Sequence, residues 1–200
     1  MTEPTFDPAQ ALKIDLSRGQ LTLHGSSGRF LVPTEGLIDL LAASSTEAIA
    51  AFGAGIGMEI GRRVADRLGT RIDQASVELF LEHLGGELAL TGLGSLSVER
   101  WGKALVLCLE SIKVQGSQHA ACLERVLAAL IEAALQRSLS RDVSAMLLAH
   151  DDSTWRFLVA GRHARPQVER WLASGLSYGD VLTRLHRADS LDSGTTRGKS

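Results

Sequence analysis

Apolar positions change period several times along the chain, and each change marks an element. Between Gln20 and Pro33, Leu21 and Leu23, then Phe30 and Val32, alternate with their neighbours about a Gly-Ser turn, the pattern of a two-stranded hairpin that Pro33 ends. The spacing then lengthens to that of helices. Leu37, Leu40 and Leu41 predict a helix capped by Thr34; Ile49, Phe52, Ile56, Ile60, Val64 and Leu68 predict a long one capped by Ser45 or Thr46 and ended by Gly69. Val77, Phe80, Leu81 and Leu84 give a third, capped by Ser76 and stopped at Gly85 and Gly86. Two strand-like runs follow about Gly102, the second with Leu105, Leu107 and Leu109 in strict alternation. In "SQHAACLERVLAALIEAALQRSL", Leu123, Val126, Leu127, Leu130 and Ala134 share one helical face. Two more strands are joined through "HDDST", a short helix follows Pro166, and another follows Ser177.

Strands come in adjacent pairs and not in strand-helix-strand units. The expected fold is therefore α/β in the α+β sense: a mainly antiparallel four-stranded sheet packed with several helices and preceded by an N-terminal hairpin. Residues 1–18 read as a loosely ordered arm, 19–163 as the main domain, 164–187 as a C-terminal helical extension, and 188–200 as a disordered tail.

Composition narrows the functional classes. The 200 residues are 44% hydrophobic and 22% charged with a net charge of −2, which gives no general reason to expect nucleic acid or an anionic membrane. The two cysteines, Cys108 and Cys122, sit in apolar runs without the paired spacing of a structural zinc site, and read as buried thiols in a reducing compartment. "MTEPTFDPAQ" lacks the basic-then-apolar order of a leader, and no apolar run reaches the ~20 residues of a membrane span. A cytoplasmic location is expected.

"FGAGIGMEIGRRVADRLG" admits two readings. Gly55, Gly57 and Gly61 nearly spell a dinucleotide loop, but Met58 or Ile60 stands where the third glycine belongs, and the residues before Phe52 already form helix where a strand is required. Gly53, Gly57 and Gly61 instead recur every four residues, so on a helix they make a bare groove that another backbone or a ligand must approach. Catalytic patterns are absent: the six histidines form no metal-ligating spacing and read as surface or loop residues. Asp151 and Asp152 suit turn chemistry, Ser26 and Ser27 form no nucleophile elbow, and Arg62 with Arg63 reads as a solvated helix end. No enzyme activity, metal or cofactor is expected.

"GRFLVPTEGLIDLL" followed by "AIAAFGAGIGMEIGRRVADRLG", with the later "CLERVLAALIEAALQRSLSRDVSAMLLAHDDSTWRFLV", resembles the 4-vinyl-reductase-type small-molecule-binding domain, which also occurs in the sensory region of aromatic-responsive bacterial activators. The likeness spans about residues 19–160 and implies a fold similar to TRAPP subunits, a homodimer, and an apolar pocket for a hydrocarbon or aromatic molecule. Family members with a metal site carry cysteines where this chain has Ala149 and Trp155, keeping only Cys122, so a metal-free pocket is implied, with Trp155 filling the space.

Two functional classes remain. One is a non-enzymatic sensor whose apolar ligand lies against the glycine face, with Phe52, Gly53, Ile56, Gly57, Ile60, Gly61, Phe80, Leu84, Val126, Leu130 and Trp155 as the expected walls. The other is a dimeric adaptor with a filled pocket, which docks a protein partner on the apolar stripes of its C-terminal helices, Val168, Trp171, Leu172 and Leu176, then Val181, Leu182 and Leu185.

Overall fold

The computed structural model describes residues 6–29, 31–69, 76–101, 104–112, 116–151 and 153–195. A helical turn, α1 (Pro8–Ala11), leads into three short strands, β1 (Leu12–Asp15), β2 (Gln20–Leu23) and β3 (Ser26–Arg29), which pair antiparallel in that order. Three helices follow, α2 (Thr34–Ala42), α3 (Thr46–Leu68) and α4 (Val77–Leu90). The strands β4 (Ser95–Trp101) and β5 (Ala104–Glu110), the helix α5 (Ser117–Leu139) and the strands β6 (Val143–His150) and β7 (Thr154–Gly161) come next, then the helices α6 (Arg165–Ala173) and α7 (Tyr178–Thr195). The main sheet is wholly antiparallel in the order β4-β5-β7-β6, as the paired strands in the sequence predict.

Alternation along the strands buries both faces of this sheet. Leu107 and Leu109, with Trp155 and Phe157, point into the core beneath α3, α4 and α5, where Ile60, Val64, Leu84, Leu127 and Leu130 meet them. Val106, Cys108, Met146 and Leu158 point the other way and are covered by Val168 of α6 and Val181 and Leu182 of α7, all three fully buried. Each such aliphatic side chain contributes about 1.5–3 kcal/mol of burial. The apolar stripes of the C-terminal helices, expected as a docking surface for another protein, are thus used within the chain, with Trp171, Leu172, Leu176 and Leu185 packed at their margin.

Several boundaries differ from expectation for identifiable reasons. The hairpin turns at His24 and Gly25, both at positive φ, as a tight two-residue turn requires, so Ser26 and Ser27 lie in a strand and a third strand joins the pair. Val32 lies beyond that strand, and Phe30 lies outside the described residues. Helix α2 begins at Thr34 with Pro33 in the capping position, so Thr34 does not cap it. Helix α4 runs through Gly85 and Gly86 to Leu90: a Cβ at Gly86 would strike the Phe6 ring, so this glycine serves close approach and not termination. The same Phe6 donates its amide to Glu82 at 3.0 Å and stacks 4.9 Å from the Arg67 guanidinium, which ties down a segment expected to be a loose arm. At the other end, helix α7 continues through residues 188–195, part of the expected disordered tail; residues 1–5 and 196–200 lie outside the described residues.

Candidate functional site

The glycines of α3 decide where a ligand space is and is not. A Cβ at Gly53, Gly57 or Gly61 would collide with the carbonyl oxygen of Val126, Leu130 or Ala134 respectively, so the two helices run in the same direction with backbones in near contact. Four-residue spacing on α3 meets four-residue spacing on α5. The glycine face is therefore occupied by α5, which corrects the expectation that Gly53, Gly57 and Gly61 line a ligand pocket. Gly55 points elsewhere, with nothing within 4 Å of where its Cβ would be.

A cavity of about 320 Å³ opens on the neighbouring face of the same helix. Phe52, Ile56, Glu59 and Arg63 of α3 form its floor, because they follow the helical repeat one step around from the glycines. Leu37, Ile38 and Leu41 of α2 and Cys122, Leu123 and Val126 of α5 make two walls, while Leu90 and Leu93 close the α4 end. The N-terminal sheet forms the roof: Leu21 and Leu23 share one face of β2, Leu12 pairs with Leu23, and Arg29 pairs with Leu21. The lining is thus mostly aliphatic with one charged edge, and its size lies at the low end of small-molecule pockets.

That edge belongs to an ion-pair chain reaching into the core. Arg63, only 8% exposed, donates from Nη1 to Glu59 Oε1 at 2.7 Å and from Nε to Glu87 Oε2 at 2.7 Å. Arg29 also donates to Glu59, binding β3 to α3. Glu87 is fully buried; besides the hydrogen bond from Arg63 it has ion-pair contacts at Oε1 with His24 Nε2 at 2.8 Å and Arg67 Nη1 at 3.3 Å. Arg67 Nη2 lies 2.7 Å from His24 Nδ1 and 3.2 Å from His24 Nε2, which ties β2–β3 to α3. Burial first, and then the positive charges of Arg67 and Arg63, hold the His24 pKa below its usual value against the pull of Glu87. Arg29 Nε and Glu87 Oε1 are buried without a hydrogen-bond partner among the described residues.

Of the side chains expected to line a site, Phe52, Ile56 and Val126 face this cavity. Ile60, Phe80, Leu84, Leu130 and Trp155 lie in the main core instead. Trp155 is 3% exposed; its indole N–H reaches the Ile112 carbonyl at 3.4 Å and its ring packs 4.8 Å from His150. The charged edge departs from the sequence expectation, in which Arg63 is a solvated helix end and His24 and His83 are surface histidines; Arg63 and His83 are buried. A signal existed: Arg63 follows Ile56 by seven and Ile60 by three residues, and Glu87 stands likewise to Phe80 and Leu84, so both charges fall on apolar helix faces. Burial raises the pKa of the Cys122 thiol, and no group of three or more His, Cys, Asp or Glu side chains among the described residues is placed to hold a metal ion. Asp151, in contrast, is a turn residue, accepting from the amides of Ser153 and Thr154 and from Arg156.

No helix among the described residues is long and apolar enough to cross a membrane. No protein-family model and no curated protein matches the chain. Among solved structures, the chain is similar in fold to the phenol-responsive sensory domain of the transcription activator PoxR, determined with phenol, at a TM-score of 0.57 and 14% identity over 82% of this chain and 88% of that one.

Proposed function

We propose that the chain is a non-enzymatic sensor or carrier module that encloses a small apolar molecule between its N-terminal sheet and the Phe52–Ile56 face of α3. The observation that carries this reading is the mostly aliphatic cavity of about 320 Å³, roofed by a sheet that, among the described residues, pairs with no strand of the main sheet. Likeness in fold to a phenol-responsive sensory domain supports it, as does the resemblance to the 4-vinyl-reductase-type, TRAPP-like family. The adaptor alternative loses its specific support, because the apolar stripes of α6 and α7 cover the sheet.

Native mass spectrometry of the purified chain, followed by titration with small aromatic and aliphatic probes, tests the proposal. A retained or added apolar molecule should bind at one equivalent, and Ile56→Trp, which fills the cavity, should abolish binding while the fold persists. A chain that binds no probe, or whose binding is indifferent to Ile56→Trp, would overturn the reading.

A further inference from the structure

We infer that the ligand of the α3 cavity is an apolar molecule carrying one acid group, a carboxylate at neutral pH, which seats against Arg29. This rests on the cavity reading above and names the chemistry that the cavity selects. Three guanidinium groups, Arg29, Arg63 and Arg67, share two carboxylates, Glu59 and Glu87, so with a neutral His24 the cluster carries one positive charge in excess. Glu59 is neutralised from two sides, by Arg29 and by Arg63, and so presents little repulsion to a second anion. Arg29 is the cluster's incomplete donor, as Glu87 Oε1 is its incomplete acceptor: Arg29 lines the cavity, its Nε is buried, and that donor has no partner among the described residues.

A buried N–H without an acceptor costs free energy that a bound oxygen recovers, and an oxygen bearing charge recovers more because the hydrogen bond is charge-assisted. A hydroxyl would satisfy the donor but leave the excess charge; a carboxylate answers both. The remaining lining is mostly apolar, with Thr34 and Thr91 as its polar exceptions, so the rest of such a ligand is mainly hydrocarbon. Arg63 cannot take the same role, because its Nε and Nη1 are already committed to Glu87 and Glu59.

Matched probes that differ only in head group separate this inference from the reading beneath it. Calorimetric titrations of the full chain at neutral pH would compare 3-phenylpropanoate with 3-phenyl-1-propanol, and octanoate with 1-octanol. In at least one pair the acid should bind ten-fold or more tighter than its alcohol. Arg29→Gln should remove that advantage and leave the alcohol's affinity within about two-fold, which also certifies the fold of the variant, since Arg63 still pairs with Glu59. Equal binding of acid and alcohol to the unaltered chain would overturn the acid inference while the cavity reading stands. An acid preference that survives Arg29→Gln would overturn the seat at Arg29. Binding of neither pair would count against the cavity itself, and the inference would fall with it.

Discussion

The Cα of Gly57 lies so close to the carbonyl oxygen of Leu130 that a methyl group placed there would overlap it. Since the obstacle is helix backbone, relief requires α3 and α5 to move apart along their whole contact. Gly57→Ala should therefore destabilise the fold by about 1–3 kcal/mol despite the better helix propensity of alanine. Gly55→Ala, two residues away with nothing in reach, should instead stabilise it by up to about 1 kcal/mol. Urea midpoints of the two variants check this, and a matching shift in both would show that the glycines act through propensity alone.

Helix packing of this kind explains what was legible in the sequence. The four-residue recurrence of Gly53, Gly57 and Gly61 announced a close approach, and the paired strands announced an antiparallel sheet, because both are short-range patterns. What pressed on the glycines was not legible: Val126, Leu130 and Ala134 lie more than seventy residues on, and carbonyls leave no trace in a side-chain pattern. Glycine also carries two meanings. Gly69 ends a helix with φ of +55°, whereas Gly85 and Gly86 sit inside one, facing Leu96 and Phe6 respectively, neighbours that no local pattern announces. The cavity's charged edge joins β3, α3 and α4, a juxtaposition no local window contains.

Glu87 is the carboxylate on which the cluster depends. It is 0% exposed and balances Arg63 and Arg67, so Glu87→Ala leaves Arg63 with Glu59 alone and part-buried Arg67 without a carboxylate, and should cost about 2–4 kcal/mol. Glu82, on the exposed side of the same helix, should cost far less when replaced by alanine. Chemical denaturation of both variants measures the difference. If the Glu87 variant lost no more than the Glu82 variant, the buried cluster would not be holding the N-terminal sheet to the helices.

His24 makes stability depend on pH in a definite direction. Burial, Arg67 and Arg63 on α3 depress its folded pKa below 6.5, against Glu87 on α4, so the folded state favours the neutral ring. Its contribution is complete above pH 6.5. As pH falls through 6.5 toward the folded value, the unfolded chain takes up a proton that the folded chain does not, and stability declines. Half-buried Glu124, whose pKa is raised chiefly by desolvation, acts in the opposite sense above 4.5. Subtracting the pH profile of His24→Asn, a residue tolerant of the positive φ of 47° there, isolates the histidine. The difference should be flat above pH 6.5 and slope below it; a flat difference throughout would show that His24 keeps its ordinary pKa.

The two cysteines report separately on the sheet face under α6 and α7 and on the cavity. Cys108 lies under α6 and α7 with its thiol pushed up to about 11, by burial first and then by Glu99. At pH 8 about one molecule in a thousand therefore holds it as thiolate, and reaching it also requires the C-terminal helices to lift. Cys122 is 3% exposed, yet it lines the cavity, so opening the N-terminal sheet alone suffices to expose it. Maleimide labelling at pH 8, followed by peptide mass spectrometry, should modify Cys122 several-fold faster than Cys108. Ile56→Trp, which fills the space beside Cys122, should slow its labelling and leave that of Cys108 unchanged. Equal rates at both thiols would mean that each is exposed only by global unfolding, and that the roof of the cavity does not open by itself.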